Sequence, residues 1–323
     1  MRFFSKKVIR FVIQSTNFTN STKSILMNKS MADLNSFQKN TYSQNGEDGV
    51  IAEILHRISK KSSLDKWCVE FGAWDGVHLS NTCKLIREDG YKAVLIEGDS
   101  KRVAQLNNNL PQDNVTKICR FINFEGKDTL DNVLSETPIP HDFDFLSIDI
   151  DGVDYHIFDG LKKYSPKVIC IEFNPTIPNV VDFVQPRNFS IKQGSSAKAI
   201  VRLASEKGYI LVAVVGCNLI LVKNDLLDFV IETKQSLEDL NPNGNDGQYI
   251  FMGYDGTILS NKGSIIFPWT GFEIPLSNAQ FLPSFLRSFG GDYSSLQKVL
   301  LLSLLLLKAP KTAFNLLIKR IKK

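Results

Sequence analysis

Between residues 67 and 222, short apolar runs rich in Val, Ile, Leu and Phe alternate with helical patterns, and this alternation restricts the fold more than any other feature. The runs read as strands at 68–71, 92–97, 117–122, 143–150 and 168–173. Helical stretches separate them, supplying the long crossover that parallel neighbours require. Two further runs, 209–215 and 219–222, are divided only by Gly216-Cys217-Asn218, which is too short for a crossover, so they form a hairpin. The reading is an α/β fold: a Rossmann-like, mostly parallel seven-stranded sheet with a terminal antiparallel hairpin and helices on both faces.

The first run, Trp67-Cys-Val-Glu-Phe-Gly-Ala-Trp-Asp-Gly76, breaks into a turn carrying two glycines and two acids. Glycine lets backbone approach a ligand closely, and open α/β sheets bind ligands at the carboxyl ends of their strands. A pyrophosphate held there calls for G-x-G-x-x-G, and this turn offers Glu70 and Asp75 instead. A carboxylate about 4–5 Å from a phosphate costs several kcal/mol at an effective dielectric of about 20. The same acids attract S-adenosylmethionine, which carries a sulfonium and an ammonium. Glu97 ends the second run, where an acid accepts ribose hydroxyls. The competing reading of Glu70 and Asp75 is helix capping or turn chemistry.

A second centre lies at the end of the fourth run. Asp149 and Asp151 share one strand face by the period of two, placed to orient an acceptor hydroxyl or take its proton. Two carboxylates without a third ligand make a poor cation site, so no metal is expected. Asp-x-Asp also marks metal-dependent glycosyltransferases, the alternative reading, and Asp151 or Asp154 can instead cap the next helix. His156 is a candidate base, with an ordinary half-exposed histidine as the alternative; His56 reads as structural and His78 as lining the turn. Glu172 and Asn174 fall at the same sheet edge. The proline-bearing stretch 176–194 that follows reads as an acceptor-binding lid, since loops of that length are usually functional or mobile. Phe267-Pro-Trp-Thr-Gly-Phe272 either walls a pocket or simply packs.

Taken in order, Tyr42-Ser-Gln-Asn-Gly-Glu-Asp48, Val69-Glu-Phe-Gly-Ala-Trp-Asp-Gly76, Leu79-Ser-Asn-Thr82, Leu95-Ile-Glu-Gly98 and Ser147-Ile-Asp-Ile-Asp-Gly152 resemble the FkbM-type methyltransferases over residues 42–222. The resemblance implies a class I methyltransferase-like fold and S-adenosylmethionine as donor. It also implies O-methylation of a hydroxyl, often on a sugar or natural product, here on a surface glycan or its precursor. Glu70, Gly72, Ala73, Asp75, Gly76 and Glu97 inherit cofactor-binding roles by position. Many relatives carry Asp-x-Glu-Gly where this chain has Asp149-Ile-Asp151-Gly152, which marks a divergent branch. A non-catalytic domain that keeps the cofactor is a further alternative.

The chain divides into a basic amphipathic arm and linker (1–40), a methyltransferase-like domain (41–225), an extension (226–285) and a basic apolar tail (286–323). Residues 1–30 hold six basic residues and no acid; residues 284–323 hold eight and only Asp292, so the middle is acidic. Acidic middle and basic ends point away from nucleic acid as a partner and toward an anionic surface touched by both ends. Phe4, Val8, Phe11 and Val12 oppose Arg2, Lys6 and Arg10 on a helical wheel, the pattern of a helix lying on a membrane. Val299 to Leu307 is apolar but short of the roughly 20 residues a span takes; a packed helical cap or oligomer interface is the other reading. Five scattered cysteines suggest a reducing compartment. The expected location is the cytoplasm, with the inner face of the membrane within reach.

Overall fold

The computed structural model describes residues 33–289 and 291–321. The amphipathic arm expected over 1–30 and the last two lysines of the tail lie outside the described residues. The compact unit starts at Asp33, earlier than the expected domain boundary at 41. Leu34 is buried, and Lys39 exchanges backbone hydrogen bonds with Gly46 and Gly49.

Elements follow in the order α1 (Glu47–Ser59), β1 (Trp67–Phe71), α2 (Cys83–Arg87), β2 (Lys92–Glu97), α3 (Ser100–Asn109), β3 (Val115–Cys119), α4 (Leu130–Leu134), β4 (Phe145–Ile148), α5 (Asp154–Gly160), β5 (Val168–Glu172), α6 (Ala197–Glu206), β6 (Tyr209–Val215) and β7 (Asn218–Lys223). The seven strands form one sheet in the order β3-β2-β1-β4-β5-β7-β6. The first five are parallel, and β7 runs antiparallel to both β5 and β6. The expected hairpin is therefore present, with its second strand inserted beside β5.

Side chains alternate across the sheet. Val69, Val94, Leu146 and Ile169 face α4, α5 and α6. Cys68, Ala93, Phe145 and Cys170 face α1 and α3. All five cysteines are free thiols.

Three strands are shorter or earlier than their apolar runs. β3 starts at Val115, opposite Ala93, and ends before Ile122, whose side chain packs into the core beyond the ladder. Phe143 is buried ahead of β4, and Ile150 lies past its end. Apolar content tracks burial, and the ladder stops sooner. α1 has Gly46 at its N-cap with φ +105°, and the Ser43 hydroxyl accepts from Asp48 N–H at 3.1 Å in the first turn.

Beyond the sheet come α7 (Leu227–Val230), α8 (Leu237–Leu240), two small hairpins, β8 (Ile250–Met252) with β9 (Ile258–Ser260) and β10 (Ser264–Phe267) with β11 (Phe272–Pro275), then α9 (Ser295–Lys308) and α10 (Pro310–Ile321). No helix among the described residues is long and apolar enough to cross a membrane.

Candidate active site

The strand order reverses between β1 and β4, the kind of point at which open α/β sheets hold ligands outside their carboxyl ends. Alternation brings the acids there. Glu70 has the parity of Cys68, Glu97 that of Ala93, Asp149 that of Phe145 and Glu172 that of Cys170, so all four belong to the α1 side of the sheet.

The turn after β1 is built on close approach. Gly72 has φ +88°, and its N–H and that of Ala73 both donate to the Ile96 carbonyl at 3.1 Å. A Cβ at Gly72 would stand 1.9 Å from the Asp149 carbonyl oxygen, so only glycine lets the ends of β1 and β4 lie this near. Gly76, at φ +76°, seats α3: a Cβ there would meet Leu106 Cδ1 at 2.3 Å.

The acids of the turn have distinct partners. Glu70 is buried and accepts from Ser80 Oγ at 2.6 Å, Thr82 Oγ1 at 2.7 Å and Asn81 N–H at 2.8 Å. Burial pushes its carboxyl up to about 7 against the pull of those three donors. Its side chain thereby fastens the segment 79–82 to β1. Asp75 Oδ1 accepts from the N–H groups of Val77 and His78, at 2.9 and 2.8 Å, which is turn chemistry. With Tyr42, His78 and Arg87 it lines a cavity of about 380 Å³.

Glu97 is held by backbone. Oε2 accepts from Trp74 N–H at 3.0 Å and Oε1 from Asp99 N–H at 2.8 Å. Each oxygen retains a second lone pair for a ligand hydroxyl. Beside it, the ring of Phe121 sits where a Cβ on Gly98 would fall, 2.3 Å away, and 77% of the Phe121 residue is exposed. Phe121 carries no distinguishing mark in the sequence, because it lies inside the run 117–122 that reads as strand.

Asp149, Asp151 and Glu172 come together, each offering an oxygen within 4.8 Å of the others. The route differs from the expected strand pleat. β4 ends at Ile148, and Asp151 stands in a turn at φ +57° followed by Gly152 at φ +148°. Buried Asp154 accepts from the N–H groups of Ile150 and Gly152, both at 2.9 Å, and locks that turn. Burial and the neighbouring Asp151 raise Asp149 to about 6; burial and Asp149 raise Glu172 further. Three carboxylates are a donor set that a hard divalent cation takes, and Glu172 supplies the third carboxylate, which the sequence reading did not assign to that role.

His156, the candidate base, is held by one ring nitrogen. Its Nε2 lies 2.8 Å from the Gln185 carbonyl, an acceptor, so that nitrogen donates. The ring also packs edge-on against Phe124 and Tyr155, and it stands outside the group of carboxylates. It pins the stretch 176–194 to α5. Buried Gln185 completes that anchoring by accepting from the N–H groups of Gln193 and Gly194 and donating to the Ile191 carbonyl.

This loop and the β10–β11 hairpin enclose two adjoining cavities, of about 620 and 280 Å³, which share Asn174, Lys192, Gln193 and Trp269. The smaller reaches Asp151, Asp154 and Glu172. The Phe267-Pro-Trp-Thr-Gly-Phe272 stretch therefore walls a pocket.

Residues 127–211, which contain β4, β5, α6 and the loop between the last two, match the family model of the methyltransferase FkbM domain. The likeness is to FkbM methyltransferases. It supports a methyltransferase that uses S-adenosylmethionine, and the resemblance expected from the motifs is borne out over this stretch. Solved structures with a similar chain trace include three methyltransferases. One is an S-adenosylmethionine-dependent enzyme from Aquifex aeolicus (14% identity, TM-score 0.33, 58% of this chain and 94% of that one). Another is the precorrin-6y C5,15-methyltransferase of Geobacter metallireducens GS-15 (14%, 0.32, 57% and 90%). The third is an S-adenosylmethionine-dependent enzyme from Clostridium acetobutylicum ATCC 824 (8%, 0.35, 56% and 92%). No curated protein matches the chain.

Proposed function

We propose that the chain is an S-adenosylmethionine-dependent O-methyltransferase whose acceptor is a sugar hydroxyl of a surface glycan or its precursor. The observation that carries this reading is the convergence of Asp149, Asp151 and Glu172, two of which, Asp151 and Glu172, line a cleft walled by Trp269. The donor set suits the cofactor: the crevice gathers carboxylates and lacks a phosphate-binding glycine pattern, which favours a cationic nucleoside. Glu97 would hold the ribose hydroxyls, with the exposed Phe121 ring beside it as a platform for adenine. Glycines 72 and 76, Ala73 and Asp75 shape the turn that faces the amino-acid end.

The bound cofactor supplies an electrophilic methyl group. The chain's own task is to bring one hydroxyl to that group and remove its proton. Asp149, raised to about 6 by burial and Asp151, has a basicity close to neutral pH, where general-base catalysis is efficient. Asp151, exposed and lining the cleft, orients the hydroxyl. Trp269 presents an exposed ring beside Asn174, Lys192 and Gln193, a flat apolar surface with hydrogen-bonding groups at its edge, which suits a pyranose.

Isothermal titration tests the donor half. S-adenosylhomocysteine binds the wild type, and Glu97→Ala weakens it at least about tenfold as two ribose contacts are lost. Labelled methyl transfer to a panel of glycans tests the acceptor half. Binding of UDP-sugars with manganese and none of S-adenosylhomocysteine would overturn the reading in favour of a glycosyltransferase.

A further inference from the structure

α9 leaves one apolar face uncovered. Nine of its fourteen residues are Leu or Val, and none is buried. Leu296, Val299, Leu300, Leu306 and Leu307 are exposed, at 68, 62, 39, 50 and 84%. With Ser303 they follow the spacing i, i+3, i+4, i+7 of a single helical face. Leu301, Leu302, Leu304 and Leu305 are half-buried on the other side. α10 adds exposed Phe314 and Ile318, and Phe285 and Phe289 stand exposed just before α9. A contiguous apolar stripe of this kind marks an interaction surface.

Charge selects the occupant. Lys298, Lys308 and Lys311 are exposed along the same two helices, and residues 284–323 carry eight basic residues against Asp292 alone. A second copy docked through the same stripe would bring together two tails of the same net sign, since a two-fold contact uses the same surface twice. Residues 1–30, with six basic residues and no acid, would bring the same sign. An anionic bilayer meets both demands, taking the leucines at the acyl boundary and the lysines among its headgroups. α9 is too short to span, so it would lie in the interfacial plane.

We propose that the α9 stripe docks on an anionic lipid surface, inserting Leu296, Val299, Leu300, Leu306 and Leu307 with Lys298, Lys308 and Lys311 at the headgroups. Flotation of the full chain with phosphatidylcholine vesicles, with and without phosphatidylglycerol, tests it. The chain floats with the anionic vesicles and is released by salt. The doubly substituted Leu300→Gln, Leu307→Gln chain, which changes no charge, loses at least about tenfold in binding. Its thermal midpoint and S-adenosylhomocysteine binding stay at wild-type values, which shows that it folds. Equal flotation of wild type and variant would overturn the proposal. So would a wild-type dimer, seen by light scattering, that the same substitutions turn into a monomer, because the stripe would then be a contact between copies.

Discussion

The carboxyl groups of Asp149 and Glu172 bring oxygens within 4.8 Å of each other at the carboxyl ends of β4 and β5. Two ionised carboxylates at this separation repel strongly, so one keeps its proton, and the more strongly raised Glu172 is the one that does. A neutral donor can be replaced by an amide. Glu172→Gln is therefore expected to fold and to retain methyl transfer within about threefold, whereas Asp149→Asn lowers kcat/KM by roughly 10²–10⁴ through loss of the base. Side-by-side kinetics on the same glycan acceptor decide it. A magnesium requirement, with Glu172→Gln falling as far as Asp149→Asn, would mean that a cation replaces the shared proton.

The same burial sets the direction of pH dependence. Glu70, Asp149, Asp154 and Glu172 are raised to about 7, 6, 7 and 9, above the ordinary carboxylate range. The folded chain then keeps protons that the unfolded chain has released, and stability falls as pH rises through that interval. The urea midpoint is expected to drop between about pH 5 and about pH 8, and Glu172→Gln to reduce the drop by removing one titrating group. A midpoint that climbs with pH would contradict this assignment of buried acids.

Much of this was legible in the residues, for a definite reason. The seven runs and the three-residue link between the last two dictate a parallel sheet closed by a hairpin, because parallel neighbours need crossovers. Period-two alternation places Glu70, Glu97, Asp149 and Glu172 on one face without any coordinates. What alternation leaves open is which partner each side chain finds. Glu70 is claimed by Ser80, Asn81 and Thr82, ten to twelve positions downstream, a long-range pairing that no local pattern encodes. His156 is claimed by the Gln185 carbonyl, 29 positions away. Glu172 joins the aspartates only because β5 pairs with β4 in the register Ile171 to Ile148.

Removing the Glu70 carboxylate strands those three donors in a buried place. Each unmet donor costs about 1–3 kcal/mol, though the three are not additive because the hydroxyls can re-pair. Glu70→Ala is expected to lower the thermal midpoint by roughly 10 °C in scanning calorimetry. S-adenosylhomocysteine binding should weaken along with it, since the 79–82 segment backs the cofactor turn. A variant that melts like the wild type would show that other contacts hold that segment.

Gly72 makes the sharpest steric demand on the site. Its φ of +88° disfavours any side chain, and a Cβ would fall 1.9 Å from the Asp149 carbonyl oxygen, which belongs to backbone and cannot rotate away. Gly72→Ala must therefore push the end of β4 outward, moving Asp149 relative to Glu172 and Glu97. Strain of this kind costs more than about 1 kcal/mol, and displacement of about 1 Å at a base costs on the order of 100-fold in rate. The expected variant melts a few degrees lower and loses methyl transfer far out of proportion to that loss of stability. Near-wild-type turnover in Gly72→Ala would mean that the placement of Asp149 against β1 does not matter to the chemistry.

Under the proposed function, Trp269 is where acceptor recognition can be separated from cofactor binding. Its residue is 70% exposed, and it lines both cavities of the cleft while Glu97 lies at the end of a different strand. An aromatic ring against a sugar face contributes about 1–2 kcal/mol, so Trp269→Ala should raise KM for a glycan acceptor roughly tenfold. It should leave S-adenosylhomocysteine affinity and the melting temperature unchanged, because the ring supports no buried core. Trp269→Phe, which keeps a flat ring, should recover most of the loss. If Trp269→Ala instead lowers cofactor affinity and leaves the acceptor KM alone, the cleft between the 176–194 loop and the β10–β11 hairpin is not where the acceptor binds.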